Sequence, residues 1–117
     1  MRFCHGAGYQ PAEIRSKREN DAAISLLKNP PMVLGGQKAP DSKWIWPSDQ
    51  TAFFKKNRRV DGIYENMEQT SGGSKAAVGK GCLLMQSNGR WLRDACGSNR
   101  ASQILCEGHV LYVRPAI

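Results

Sequence analysis

Four cysteines carry the most constrained chemistry in this chain: Cys4, Cys82, Cys96 and Cys106. In a small, loop-rich chain, four cysteines indicate two disulfides formed in an oxidising compartment, and their number alone allows three pairings. Zinc is the alternative, because His5 follows Cys4 and His109 lies three residues after Cys106. The chain has no Cys-x-x-Cys pair, however, so the spacing favours disulfides over a structural zinc site.

A second group of residues suited to chemistry is the cation run F-F-K-K-N-R-R, residues 53–59. Arginine would grip a sulfate or carboxylate through a forked pair of N–H groups, and lysine would act as a point charge. If the following chain returns over the hairpin at Asn88-Gly89, Lys75, Lys80, Arg90 and Arg93 would lie on this face. The predicted ligand-binding residues are therefore Lys55, Lys56, Arg58, Arg59, Lys80 and Arg93.

The overall charge supports an acidic partner. Seventeen Lys and Arg against ten Asp and Glu give a formal charge of +7. Such a balance favours sulfated or sialylated sugars, nucleic acid or an anionic membrane surface. A solvated basic surface without any partner is the open alternative.

Catalysis is not predicted, because no nucleophile, base and orienting residue form a set. The two histidines lie near cysteines assigned to disulfides and have no evident partner. We therefore expect no catalytic residue, no metal and no cofactor. Nucleic-acid binding is disfavoured, since no predicted helix carries a basic stripe.

The length of 117 residues is that of one domain. No apolar run approaches the length of a membrane span, which predicts a soluble domain without membrane insertion. The first residues have no apolar signal core, so the signal of an exported protein is expected to have been removed or to lie outside this sequence.

The pattern along the chain predicts two helices and several short strands. One helix ends within residues 1–9, and Ser16 and Glu19 form a capping box that begins the second, which Pro30 ends. Short strands are expected around residues 10–15, 32–34, 44–46, 83–85, 90–92, 103–106 and 109–113. Residues 48–80 show no sustained period and predict a long loop. Asn88-Gly89 predicts a hairpin turn.

Taken in order, these segments resemble the C-type lectin-like domain. The resemblance runs through Phe3-Cys4, Val33-Leu34-Gly35-Gly36, Trp44-Ile45-Trp46, Tyr64-Glu65-Asn66-Met67, Cys82 with Gly89, Trp91 and Cys96, and Ile104-Leu105-Cys106-Glu107. It implies an α+β, disulfide-stabilised fold in which two helices flank small antiparallel sheets with a long loop region. It also implies the pairings Cys4–Cys106 and Cys82–Cys96.

The resemblance covers residues 1–107, and the family's first strand is missing. Residues 108–117 form a C-terminal extension. Because apolar residues alternate on either side of Gly108, we expect Val110 to Val113 to fold back on Ile104-Leu105 as an added edge strand. A frayed tail is the alternative.

The calcium and sugar site of the family is expected to be absent here. Residues 66–81 contain no proline and hence no E-P-N or Q-P-D triplet. Lys80 stands where an acid is expected, and Leu92 and Arg93 replace the Asn-Asp pair that follows the tryptophan. Asp94 comes one residue late, which reverses its face on a strand. Cations at these positions would repel Ca²⁺.

A different, weaker calcium site remains an alternative, with ligands from Glu65, Asn66 and Glu68.

These observations predict a secreted or extracellular, non-catalytic recognition module of C-type lectin-like type. Its expected ligand is an anionic or sulfated glycan, bound without calcium through a basic face of the long loop. The alternative is a protein-binding domain that uses the long loop as an interaction or homodimer surface, with Phe53, Phe54, Tyr64 and Met67 as apolar anchors.

Overall fold

A computed structural model describes residue 4 and residues 10–56, 58–68, 81–94, 103–108 and 110–115. The elements, in chain order, are β1 (Gln10–Pro11), α1 (Lys17–Ile24), β2 (Met32–Ala39), β3 (Lys43–Trp46), β4 (Thr51–Lys55), β5 (Arg58–Arg59), β6 (Cys82–Met85), β7 (Trp91–Asp94), β8 (Gln103–Glu107) and β9 (Leu111–Pro115).

The described residues form one sheet of nine strands with a single helix, so the predicted α+β fold of C-type lectin-like type, with two helices and small antiparallel sheets, is wrong. The main path is β1-β8-β2-β3-β4-β5; β6 pairs with β2 and β7, and β9 pairs with β8. The sheet is mixed, because β2 and β8 run parallel while the other pairs are antiparallel. The helix predicted within residues 1–9 lies outside the described residues.

The long loop predicted for residues 48–80 begins as two paired strands, β4 and β5. Their sequence T-A-F-F-K-K-N-R-R lacks the alternation of apolar and polar residues that usually marks a strand. Phe53 is the extra residue at an irregularity in the register of β4 against β3, and both Phe53 and Phe54 are buried in the main core, at 0% and 8% exposure. Two adjacent buried residues at such an irregularity interrupt the alternation, which explains why the period failed to reveal β4.

The core is centred on three aromatic residues from three strands. The rings of Trp46 and Phe53 stack with centroids 4.3 Å apart, and Trp91 meets each of them edge-on, at 5.6 and 5.7 Å. Trp91 is fully buried. Each such ring buries a large apolar area, so this cluster stabilises the centre of the sheet.

The helix is fixed to the β6–β7 hairpin by buried polar contacts. The indole Nε1 of Trp91 donates to Oδ1 of Asn20, at 2.8 Å, and the side-chain amide of Asn20 donates to the carbonyl of Gly89, at 3.3 Å. Gly89 occupies the predicted turn with φ of +82°, a conformation that favours glycine. The Asn-Gly turn is therefore confirmed, and it places Trp91 under α1.

Of the two hydrogen bonds of the predicted capping box, the structure confirms the one that Ser16 accepts. The amide of Glu19 donates to Oγ of Ser16, at 3.1 Å. The Glu19 carboxylate accepts from the amide of Arg15 rather than from that of Ser16. Together these contacts satisfy two backbone donors at the start of α1 and fix the direction in which the chain enters the helix.

The Gly35-Gly36 pair allows two segments to approach closely. A Cβ at Gly35 would lie 2.6 Å from the carbonyl oxygen of Pro11, and the Gly35 amide donates to the carbonyl of Ala12, at 2.7 Å. The register of β2 against β6 also shifts between Leu34 and Gln37. Glycine is required here because any side chain would push the segment around Pro11 away from β2.

The disulfide Cys4–Cys106 is present, with sulfurs 1.98 Å apart, and this confirms the pairing that the resemblance implied. It also excludes zinc ligation by these two cysteines. Bridging residues 102 positions apart contributes about 4–5 kcal/mol in the chain-entropy account of disulfides. Cys82 is disulfide-bonded as well. Its predicted partner Cys96 lies outside the described residues, as do His5 and His109.

The C-terminal residues fold back as expected. β9 pairs antiparallel with β8, with Leu111 opposite Glu107 and Val113 opposite Leu105. This antiparallel pairing confirms the predicted edge strand at that position. β9 belongs to the same sheet as the other strands. The division into a domain at residues 1–107 and an extension at 108–117 stays a prediction.

Candidate functional site

The predicted cation cluster lies on the β4–β5 hairpin rather than on a loop. We name the residues Lys55, Lys56, Arg58 and Arg59 the basic hairpin; all four are exposed. β5 is the last strand on the main path of the sheet, so the basic hairpin occupies one edge of the molecule. The backbones of β4 and β5 are hydrogen-bonded to each other. This pairing fixes the positions of the cations better than a loop would.

Strand pairing places three cations in a line across three strands. Lys43 on β3 lies opposite Lys55 on β4, which in turn lies opposite Arg58 on β5. Residues opposite each other share a face of the sheet with Cβ atoms about 5 Å apart. Neighbouring strands are about 4.8 Å apart, so this row of three charges spans about 10 Å. We name Lys43, Lys55 and Arg58 the cation row.

The opposite face of the same strands is aromatic. Trp44 lies opposite Phe54, and Phe54 lies opposite Arg59. The guanidinium carbon of Arg93 lies 5.3 Å from the centre of the Phe54 ring. Arg59, opposite Phe54 in the ladder, and Arg93, over the Phe54 ring, therefore lie on the face away from the cation row.

Arg93 is the predicted ligand residue whose surroundings differ most from expectation. It is 8% exposed, and burial lowers the pKa of its guanidinium. A cation over an aromatic face is stabilised by the negative charge density of that face. The structure therefore separates Arg93 from the cation row, and gives it a packing contact with Phe54. Lys80, the other cation predicted from the hairpin side, lies outside the described residues.

The cations of the basic hairpin take part in no ion pair among the residues that the structure describes. The ion pairs found there are Arg15–Glu13, Arg15–Asp49 and Lys17–Asp21. Lys43 is likewise unpaired within the described ranges. Like charges directly opposite each other destabilise a sheet by a few tenths of a kcal/mol. The cation row thus carries a small stability cost that no described acidic side chain offsets.

Two exposed acids lie near the basic hairpin, Asp61 two residues after Arg59 and Asp41 beside Ser42, and neither forms an ion pair to it in the described part of the chain. Asp41 belongs to the turn between β2 and β3, where both it and Ser42 have positive φ. The amide of Lys56 donates to the carbonyl of Ser42, at 3.0 Å, and ties the hairpin tip to this turn. The local charge remains positive, because four cations of the hairpin and Lys43 face two carboxylates.

The alternative calcium ligands are each engaged elsewhere. Glu65 Oε1 accepts from the amide of Met67, at 2.8 Å, and Glu68 Oε2 accepts from the side chain of Gln86, at 2.9 Å. The side-chain amide of Asn66 donates to the carbonyl of Gly89, at 2.7 Å. These contacts direct the three side chains to separate partners. Among the described residues, no group of three or more His, Cys, Asp or Glu is placed to hold a metal ion.

The apolar anchors proposed for a protein-binding loop are buried or half-buried. Phe53, Phe54 and Met67 are 0%, 8% and 2% exposed. The ring of Tyr64 packs edge-on against Trp91, with centroids 5.9 Å apart. These four residues therefore belong to the core, and the surface predicted for a protein partner or homodimer is absent from the described part of this loop.

Lys43 is the member of the site that sequence reasoning missed. It precedes Trp44 on β3 and lies ten residues before the start of the cation run at residues 53–59. Its place in the cation row follows only from the register of β3 against β4. A predicted hairpin between β3 and β4 could have found it, because two antiparallel strands joined by a short turn place Lys43 opposite Lys55.

Comparison with known proteins adds no family: no family model matches this chain, and no curated protein matches it. Within the described ranges, no helix is long and apolar enough to cross a membrane. Inference about function therefore depends on the geometry of the basic hairpin and the chemistry of its neighbours.

Proposed function

We propose that this protein is a secreted or extracellular recognition module that binds an anionic, sulfated glycan through the cation row and the basic hairpin, without calcium and without catalysis. The observation that carries the proposal is the row Lys43–Lys55–Arg58, three cations aligned across three strands and unpaired within the described residues. Disulfides support the extracellular setting, because they persist in oxidising compartments.

The arrangement suits a linear polyanion better than a single small anion. The cations recur at the spacing of the strands, so a bound chain would cross the strands and meet one positive charge at each step. The four cations of the basic hairpin are exposed, so a long ligand can reach them from solvent. Affinity would then come mainly from charge and counterion release, and it would fall steeply with salt.

Chromatography on immobilised heparin tests the proposal. We expect retention well above the ionic strength of ordinary buffer, a steep dependence on salt, and the same elution with calcium or with chelator. Elution at about 0.15 M salt, where the Debye length is near 8 Å, would contradict it.

Two competitors identify the class of anion. Free heparin should release the bound protein, whereas hyaluronan, which carries carboxylates without sulfates, should release less. A DNA duplex of equal charge is the third arm. Stronger release by DNA than by heparin would overturn the glycan proposal in favour of nucleic acid.

A further inference from the structure

The strand β9 lies at the sheet edge opposite the basic hairpin. Its only partner among the described strands is β8, which it pairs with over five residues. The side of β9 that faces away from β8 therefore presents backbone N–H and C=O groups without a ladder partner in the described structure. Such an edge is a template for an added strand.

Two adjoining cavities follow β9 on the side of the sheet that carries α1. The larger, of about 360 Å³, is lined by Leu26, Lys28, Gln103, Leu111, Tyr112 and Val113. The smaller, of about 170 Å³, includes Glu13, Glu19, Glu107, Val110 and Leu111 in its lining. Leu111 lines both cavities, so they lie next to each other along β9, and we name the two cavities together the α1–β9 trench.

The larger end of the α1–β9 trench is apolar and holds one unused acceptor. Leu111 and Val113 are half-buried and pack against the main core from this side, as does Leu26. Oε1 of Gln103 is buried without a hydrogen-bond partner in the described structure. A buried acceptor left unpaired costs about 1–3 kcal/mol, so a donor from outside would be stabilised at this position.

The smaller end of the α1–β9 trench is acidic. Glu13, Glu19 and Glu107 are among its lining residues; Glu13 is paired with Arg15, whereas Glu19 and Glu107 form no ion pair among the described residues. Burial raises the pKa of Glu107, and the neighbouring charges of Glu13 and Glu19 raise it further. Val110, 67% exposed, also lines this end. The acidic end therefore favours a cation that can also make apolar contact.

We propose that the α1–β9 trench binds an extended peptide that adds a strand to β9, with an apolar side chain in the larger cavity and a lysine or arginine at the acidic end. In a strand, side chains two or four residues apart share a face, so both could point into the trench. A cation opposite Leu111 would meet the acids, while an apolar residue opposite Val113 would enter the larger cavity. This inference is independent of glycan binding, since it concerns the other edge of the sheet.

The probe is the acetylated, amidated peptide LTVTKT, in which Leu, Val and Lys share one face. In antiparallel alignment with β9, its apolar residues meet the larger cavity and its lysine meets the acids. Titration into the ¹⁵N-labelled full chain, with disulfides intact, should shift the amides of residues 111–114 and of Leu26. It should also slow hydrogen exchange in β9, because the added strand occupies its free edge.

Two matched peptides separate the causes of binding. The peptide LTVTET should bind about fivefold more weakly, since its glutamate faces like charges. A version of LTVTKT with alternate amides N-methylated should not bind, because it cannot donate to the edge of β9. Equal binding of all three would overturn strand addition.

Two matched protein variants place the site. Glu107→Gln should lower the affinity for LTVTKT several-fold and reduce the difference in affinity between LTVTKT and LTVTET. Asp61→Asn, beside β5, should leave the affinity for both peptides unchanged. Shifts that map to the basic hairpin, or no shift at saturating peptide, would overturn the proposal. So would self-association of the chain through β9 in the absence of peptide, which would make a second copy the occupant.

Discussion

Charged residues gather at both edges of this sheet, and they are used differently. Near β1 and β8, the carboxylate of Glu13 is buried and accepts from the Ser48 amide, at 3.0 Å, the Ser48 hydroxyl, at 2.6 Å, and Arg15, at 2.6 Å. At the β4–β5 edge, the cations are exposed and have no described ion-pair partner. Glu13 and Arg15 use their charges to hold segments together, whereas the basic hairpin leaves its charges available.

The difference shows which charges are structural. Arg15 bridges two acids, and its hydrogen bonds lower the pKa of the Asp49 carboxyl well below its usual range. That pair joins the segment after β1 to the turn before β4. Lys43 and Lys55, by contrast, repel each other across two strands and join nothing. An arrangement that costs stability without a structural return is typical of a functional surface.

The largest expected effect is at Glu13. Glu13→Ala should lower the free energy of unfolding by about 2–3 kcal/mol, because it removes three hydrogen bonds and leaves the Arg15 guanidinium with one acid only. Urea unfolding followed by tryptophan fluorescence measures it. Asp61→Ala, an exposed acid by the other edge, should change stability by less than about 0.5 kcal/mol. Similar losses in the two variants would erase the distinction between the edges.

A smaller effect is expected at Glu107, and its sign depends on pH. Burial raises the pKa of this carboxyl in the folded state, so folding favours the protonated form. The stability contributed by that form is complete below the unfolded-state pKa and is lost as pH rises through the folded-state pKa. Glu107→Gln should therefore match the parent in acid and exceed its melting temperature at neutral pH. Paired melting curves from about pH 4 to 7 test this. The prediction would be contradicted if the melting temperature of the parent increased relative to that of the variant as pH rises.

The smallest effect is expected in the cation row. Lys55→Thr should stabilise the fold by about 0.3 kcal/mol, and by more at low salt, because it removes a repulsion across β3 and β4. Lys17→Thr is the matched control, since it removes a lysine that pairs with Asp21, at 3.0 Å. That variant should be slightly destabilised. If both substitutions shift stability in the same direction, the cation row is not under repulsion.

Local signals in the sequence were sufficient to predict contacts between residues close in the chain and a few contacts between distant residues. The Ser16 cap, the Gly89 turn and the close approach at Gly35 each follow from the stereochemistry of one residue type, and all are present. The cysteine pair Cys4–Cys106 followed from the resemblance rather than from geometry.

Strand register and its irregularities were beyond the reach of sequence reasoning. The alternation in β4 is interrupted because the adjacent residues Phe53 and Phe54 are both buried at a register irregularity, so the basic hairpin was assigned to a loop and the proportion of strand was underestimated. Arg93 was placed on the ligand side by its position in the sequence alone. Its contact with Phe54 depends on how two distant strands pack, which no spacing reveals.

The central claim is that position on the β4–β5 edge, rather than total charge, gives this protein its affinity for polyanions. The most direct test compares the salt needed to elute two triple variants from heparin: Lys43→Gln, Lys55→Gln and Arg58→Gln together, and Lys17→Gln, Arg18→Gln and Lys28→Gln together. Each loses three positive charges. We predict that the first elutes at ordinary buffer salt and that the second stays close to the parent. Equal losses in both variants would contradict the claim.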